Sequence, residues 1–225
     1  MVTAQVSPEY RFVPASGVPR YFTSALNRAC DRWWEMRYNI ETAGDAPSPH
    51  ADANHYGCLA YHTYFSIFDR LELKPTDVVM DLGCGKGRVS CIAATYPIKE
   101  SVGVEIDPPL TEQASVNAAR MRGRRAPMSA ICRSATEVDY DSVDIVVMFS
   151  PFGTETMHIV LGKWQESLAR RPREFRVVYG NPVPSPMLAA KPWLKLYECW
   201  TPGAWSRIKW PVHFYKSVPS AVAAQ

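Results

Sequence analysis

No two of the six cysteines form a C-x-x-C pair, and the histidine and cysteine spacings around positions 50–62 match no zinc motif. That excludes a disulfide-stapled scaffold and a structural metal centre, and no metal is expected. Long apolar runs are missing as well: nothing approaches the ~20 residues a helix needs to cross a bilayer. The opening MVTAQVSPEYRF lacks the pattern of a signal peptide. A reduced, cytoplasmic protein without a membrane partner is expected. Charge excess is also absent, since 25 Lys and Arg stand against 22 Asp and Glu for a net charge of +3, too small to demand a polyanionic partner. Glycine is scarce, at 12 in 225 residues, so it stands out that three fall within positions 83–87.

What remains is a globular composition, 47% hydrophobic and 21% charged, in a chain long enough for one domain with a real core. Residues 1–19 are rich in proline and lack periodicity, as in an extended arm. Between Tyr21 and Ile40, Phe22, Leu26, Ala29, Cys30, Trp33 and Arg37 recur at helical spacing. The small, polar stretch 43–54 reads as a loop, and a second helix is predicted over 57–71 with Leu59, Phe65, Phe68 and Leu71 on one side.

The rhythm then changes. Short β-rich runs at 77–82, 101–106, 128–133, 143–149 and 174–180 alternate with helical segments near 86–95, 108–121 and 154–169. Nearly continuous apolar strands alternating with helices predict an α/β fold with a doubly wound, mostly parallel sheet. Runs at 194–200 and 207–215 have no helix between them and complete a seven-stranded sheet as an antiparallel C-terminal hairpin. The expected organisation is an N-terminal arm and helical cap over 1–72, a core over 73–216 and a short tail over 217–225.

The glycine loop lies at the carboxyl end of the first strand, where such sheets bind ligands. In DLGCGKGR, Lys86 is followed by Gly87, which fails the P-loop pattern, and Arg88 stands where a dinucleotide motif needs its third glycine. The pattern left is D-x-G-x-G-x-G, with Glu105 about 20 residues after the loop begins. DLGCGKGR followed by GVEIDP resembles motif I and the second-strand acid of the class I S-adenosylmethionine (SAM)-dependent methyltransferases. The resemblance covers about 56–215 and implies SAM as cofactor. Gly83, Cys84, Gly85 and Gly87 would let the backbone approach the ligand, with Asp81 on its ammonium group and Glu105 forking to both ribose hydroxyls. It further implies Ile106 against the adenine face, Ser134 and Ala135 at the adenine edge, and Tyr56 and Phe149 beside the cofactor. RWWEMRYNIETAG and the stretch from HYGCLAY to motif I resemble bacterial members of unassigned substrate. The layout is also similar to the Rossmann-fold histone lysine methyltransferases, but Cys58 stands where that family has a SAM-contacting glutamate.

The methyl acceptor is expected at FSPFGTE, 149–155, which is similar to the [DNS]-P-P-[YFW] motif of amino-group methyltransferases. Ser150, Pro151 and Phe152 then form the catalytic turn: exposed carbonyls orient an N–H, and an aromatic face attracts cations. The function expected is methyl transfer to a small-molecule amine. Alternatives are a protein lysine or RNA acceptor, oxygen methylation using His50, His55 or His62 as base, and a SAM-binding module without turnover. The basic clusters at 120–125 and 170–173 read as solvated loops, with an RNA-binding rim as the other reading; a nucleic-acid partner is not expected. The N-terminal helices are expected to form a lid over the site, and the sequence leaves open whether that lid moves. The sequence carries no sign of oligomeric state.

Overall fold

A computed structural model describes residues 20–44, 52–54, 57–183, 185–203, 206 and 209–218. The expected arm at 1–19 lies outside them. Strands β1 (Val78–Leu82), β2 (Glu100–Glu105), β3 (Met128–Cys132), β4 (Ile145–Phe149), β5 (Arg176–Gly180), β6 (Leu194–Trp200) and β7 (Val212–Ser217) form one sheet in the order β3-β2-β1-β4-β5-β7-β6. The first five pair in parallel, and β7 runs antiparallel between β5 and β6, which gives the sheet expected from the sequence.

Alternation along the strands builds two cores. Val79, Ile145, Val147 and Val178 face α2 (Tyr61–Phe68) and α3 (Arg88–Ala93), and α4 (Pro108–Arg120) adds Ala118 on the same side. Val78, Met80, Leu82, Val146 and Met148 point the other way, against Met157, Val160, Leu161 and Trp164 of α5 (Thr154–Arg170). Both faces are covered, so the central strands are buried throughout, as their apolar runs require. The chain passes outward through β1, β2 and β3 and returns to β4 on the far side of β1. That reversal opens a crevice at the carboxyl ends of β1 and β4.

Among the differences from the sequence reading, three stand out. The second helix begins at Tyr61, four residues later than predicted, because the backbone of Leu59 is held in other bonds, its N–H by Tyr64 Oη and its carbonyl by Arg88. The last strand begins at Val212 and not at 207, directly after Pro211, which has no N–H for the ladder. A short helix, α6 (Ser185–Ala189), occupies a stretch read only as a connection.

The first helix, α1 (Arg20–Tyr38), forms where the periodicity placed it, but the face traced by that periodicity points outward. Leu26 is 40% exposed and Trp33 is 51% exposed. The inward side carries Asp31, Trp34, Glu35 and Tyr38. Trp34 stacks on Tyr38 and lies against Phe65 of α2.

Candidate active site

The glycine loop bridges β1 and α3 with Gly83, Gly85 and Gly87 at φ of 72°, 53° and 80°, a left-handed region that side chains other than glycine rarely enter. Gly83 and Cys84 donate N–H bonds to Val104 O at 2.9 and 3.0 Å, which fastens the loop to the end of β2. Bareness at Gly83 has a second cause: a Cβ there would strike the ring of Pro151. The loop and the turn after β4 are therefore in direct backbone-to-ring contact across the crevice.

Asp81, at the end of β1, is buried and accepts a bond from Ser90 Oγ at 3.1 Å. Burial, with a smaller contribution from the nearby Glu105 carboxylate, pushes its pKa up to about 7. A carboxylate so desolvated gains from a cation brought beside it. Glu105 accepts Gly85 N–H on Oε2 at 2.8 Å and both Ile106 and Asp107 N–H on Oε1 at 2.8 and 3.0 Å. Three of its roughly four acceptor positions are thus filled by backbone. This corrects the expected fork: Oε2 can take one ribose hydroxyl as it stands, and a second requires Glu105 to give up a backbone bond.

Arg88 follows the loop and is 3% exposed. Its guanidinium donates to Thr42 Oγ1 and Asp31 Oδ2, each at 2.8 Å, to Leu59 O at 2.9 Å and to Glu35 Oε1 at 3.4 Å. It also lies 4.3 Å over the Tyr61 ring. Both carboxylates come from α1, so this helix is bolted to the first turn of α3 by a buried cation. That geometry fastens the cap to the core, whereas the sequence left open whether the helices move as a lid.

On the opposite wall, Phe149 packs edge-on to Tyr64 with centroids 5.0 Å apart, and its ring sits where a Cβ on Gly180 would be. Ser150 has φ of 45°, strained for a residue with a side chain. Its Oγ donates to Asn181 O at 2.5 Å. The segment 52–54 crosses the turn as a strap. Asn54 Nδ2 donates to Ser150 O at 2.7 Å, Asn54 N–H to Pro151 O at 3.0 Å, and Ala53 forms an antiparallel bridge with Phe152. Asp52 accepts Thr156 N–H at 3.1 Å at the start of α5.

A sequence profile described as "Histone methylation protein DOT1" matches residues 50–141, which contain the strap, the glycine loop and Glu105. A ribosomal protein L11 methyltransferase of Cupriavidus necator is 34% identical over 79 residues, 35% of this chain and 26% of that protein. A protein-lysine N-methyltransferase of Saccharolobus islandicus is 36% identical over 74 residues, 32% of this chain and 45% of its own. This chain thus spans less than half the length of either relative. In fold it is similar to a solved RNA methyltransferase of Salinibacter ruber in complex with S-adenosyl-L-homocysteine, at a TM-score of 0.51 and 19% identity over 69% of this chain and 90% of that one. A SAM-dependent O-methyltransferase of Thermotoga maritima superposes with a TM-score of 0.54 at 16% identity, over 72% of this chain and 67% of that one. These solved methyltransferases share the fold of this chain, a Rossmann-like sheet with the glycine loop at the end of its first strand.

Within this fold, the crevice is lined by Asp81, Gly83, Cys84, Glu105, Ile106, Ser134, Ala135, Phe149, Ser150, Pro151 and Phe152, all named from the sequence. Gly85 and Gly87 do not line it; Gly85 holds Glu105, and Gly87 caps α3. Tyr56, His50 and His55 lie outside the described residues. His62 is absent from the lining, and burial lowers its pKa. Asn54 bonds the carbonyls of Ser150 and Pro151, which leaves each one further acceptor position, and the Ser150 hydroxyl donates to Asn181 O. Sequence reading missed Asp52, Asn54, Tyr64, Arg88 and Arg133 in the lining. An arginine ending a glycine loop was the one visible signal among them.

Proposed function

We propose that this chain binds SAM in the crevice and transfers its methyl group to an amine nitrogen. The observation that carries the reading is the contact of Gly83 with Pro151, which joins a cofactor loop to an aromatic turn with no room between them. The residues fit the cofactor: Asp81 offers a desolvated carboxylate to the ammonium group, Glu105 a free acceptor position to the ribose, and Ile106 and Ala135 apolar surface to the adenine. Bound there, SAM supplies an electrophilic methyl on a sulfonium. Phe149 and Tyr64 wall the acceptor side, where an aromatic face attracts a neighbouring cation by about 0.5–2 kcal/mol. Methyl transfer is an in-line displacement, so alignment by this wall and the strap can supply most of the catalysis without a base.

The sequence suggested a small-molecule amine. The relatives named for protein lysine and for ribosomal protein L11 support instead a nitrogen carried on a macromolecule. One experiment separates the two: the protein is incubated with methyl-labelled SAM and either a panel of small amines or a total ribosomal-protein fraction. Label in a protein band with S-adenosylhomocysteine release supports the macromolecular acceptor, and label in the small amines supports the other. SAM binding by calorimetry without turnover on any acceptor would leave a cofactor-binding module, and no binding would overturn the reading.

A further inference from the structure

The outer face of α1 has no role in the crevice, yet its chemistry is sharply sorted. The two acids of the helix, Asp31 and Glu35, turn inward to Arg88. What faces solvent is Arg28, Arg32 and Arg37, with Leu26, Trp33 and Met36 between them. The carboxyl end of α1 abuts the loop after α4. Arg122 N–H donates to Tyr38 O at 2.8 Å, Asn39 Nδ2 to Arg120 O at 3.1 Å, and Arg37 lies 3.7 Å from the Cβ position of Gly123. That loop adds Arg122, Arg124 and Arg125, all exposed, with one Arg124 nitrogen donating to Ala118 O at 2.7 Å, and residues 121–127 contain no acid. The cluster at 170–173 differs. Arg170 is paired with Asp141, and Arg173 donates to Val143 O and Tyr140 O, so that cluster closes the fold and is not a free surface.

We infer that the outer face of α1 and the loop 121–125 together form an RNA-binding track. Six arginines are gathered on one flank of a chain whose net charge is only +3. The 19-residue helix extends this flank over about 28 Å, long enough to follow several phosphates. Trp33 is held edge-on by Trp34 at 4.6 Å, which makes it a fixed, half-exposed platform of the kind on which an unpaired base stacks. A membrane surface would need an apolar stripe that sinks below the headgroups, and residues 122–125 of the loop are Arg, Gly, Arg and Arg with none to contribute. This inference goes beyond the transfer reading and does not depend on it.

The test is fluorescence anisotropy with a labelled single-stranded RNA of about 20 nucleotides, from about 50 to 200 mM salt. The full chain is expected to bind, with affinity falling steeply as salt rises. Replacing Arg122, Arg124 and Arg125 together by Gln should weaken binding at least about tenfold and flatten the salt slope by about 2. Trp33→Ala should weaken it several-fold and leave the slope unchanged. SAM affinity, measured on the same samples, should not move in either variant. RNA binding that is absent at the lowest salt, or equal in all three proteins, overturns the inference. Tighter binding to anionic phospholipid vesicles than to RNA, lost in the same variants, overturns it in favour of a membrane face. Loss of SAM binding in the unaltered protein would sink the transfer reading alone.

Discussion

Replacing Arg88 by Met would remove a buried cation and leave two carboxylates behind it. Glu35 has a side chain 4% exposed and Asp31 one 21% exposed, so neither can be rehydrated without moving α1. Breaking a buried ion pair from one side costs about 3–5 kcal/mol, a large share of the roughly 5–15 kcal/mol that holds a domain together. The backbone oxygen of Leu59 and the hydroxyl of Thr42 lose their donor too. For a chain of this length about 1 kcal/mol shifts Tm by ~2–4 °C, so a fall of about 6–20 °C is expected. Calorimetry or circular dichroism on purified Arg88→Met measures it. Adding Glu35→Gln to Arg88→Met removes the stranded charge while keeping its shape, and should restore part of the loss. A single variant that melts within ~2 °C of the parent, or a double variant less stable than the single, would refute the assignment of Arg88 as the bolt between α1 and α3.

Deleting residues 1–42 strips Asp31, Glu35 and Thr42 from Arg88, so the remaining core should melt at a comparably lower temperature; an undiminished melting temperature would show that α1 is a detachable lid. Glu105→Ala should weaken SAM binding by about 1.5–3 kcal/mol, by loss of a charge-assisted bond and of the anchor on Gly85 N–H, as calorimetry would read directly. Burial holds the Asp81 pKa at about 7, above its ordinary carboxylate value. The ionised form suits a cationic ligand, so SAM affinity should rise with pH up to about 7 and drop about tenfold per unit below it, and Asp81→Asn should flatten the profile. For stability the sign is opposite: the contribution of neutral Asp81 is fully present below about pH 4 and is lost as pH rises through about 7. Gly180→Ala places a methyl in the ring of Phe149 and should lower turnover about 10²-fold with SAM affinity retained; unchanged turnover would remove Phe149 from the acceptor wall.

The parallel sheet was legible because strands buried on both faces must be almost wholly apolar, as IVVMF is and as VVMDL is apart from Asp81. Asp81 and Glu105 were legible because a ligand-binding loop needs its acids at fixed steps from its glycines. Asn54 was not, because its partners lie 96 and 97 positions away at Ser150 and Pro151, and no local pattern marks such a pairing. The orientation of α1 was misread for a physical reason. Periodicity assumes that the apolar stripe of a helix faces the core, but here a buried guanidinium requires carboxylates on the inner side, and Leu26 and Trp33 are left outside. The Ser150 and Pro151 carbonyls looked unbonded because a sequence shows which groups a turn offers and not which neighbour bonds them.

The contact between Gly83 and Pro151 also bears on how the proposed transferase could acquire a new acceptor. A larger residue at position 83 is excluded by the ring across the crevice, and reshaping the turn at 151 would disturb the loop beneath the cofactor. The strap at 52–54 carries no such double obligation: it bonds the turn from above and touches the crevice from a loop. Within the strap, Asp52 and Asn54 hold the turn with their side chains, whereas Ala53 bridges Phe152 through its backbone alone, so its side chain is the one that can change while the loop and turn stay as they are. A laboratory search for altered substrates should randomise position 53 first.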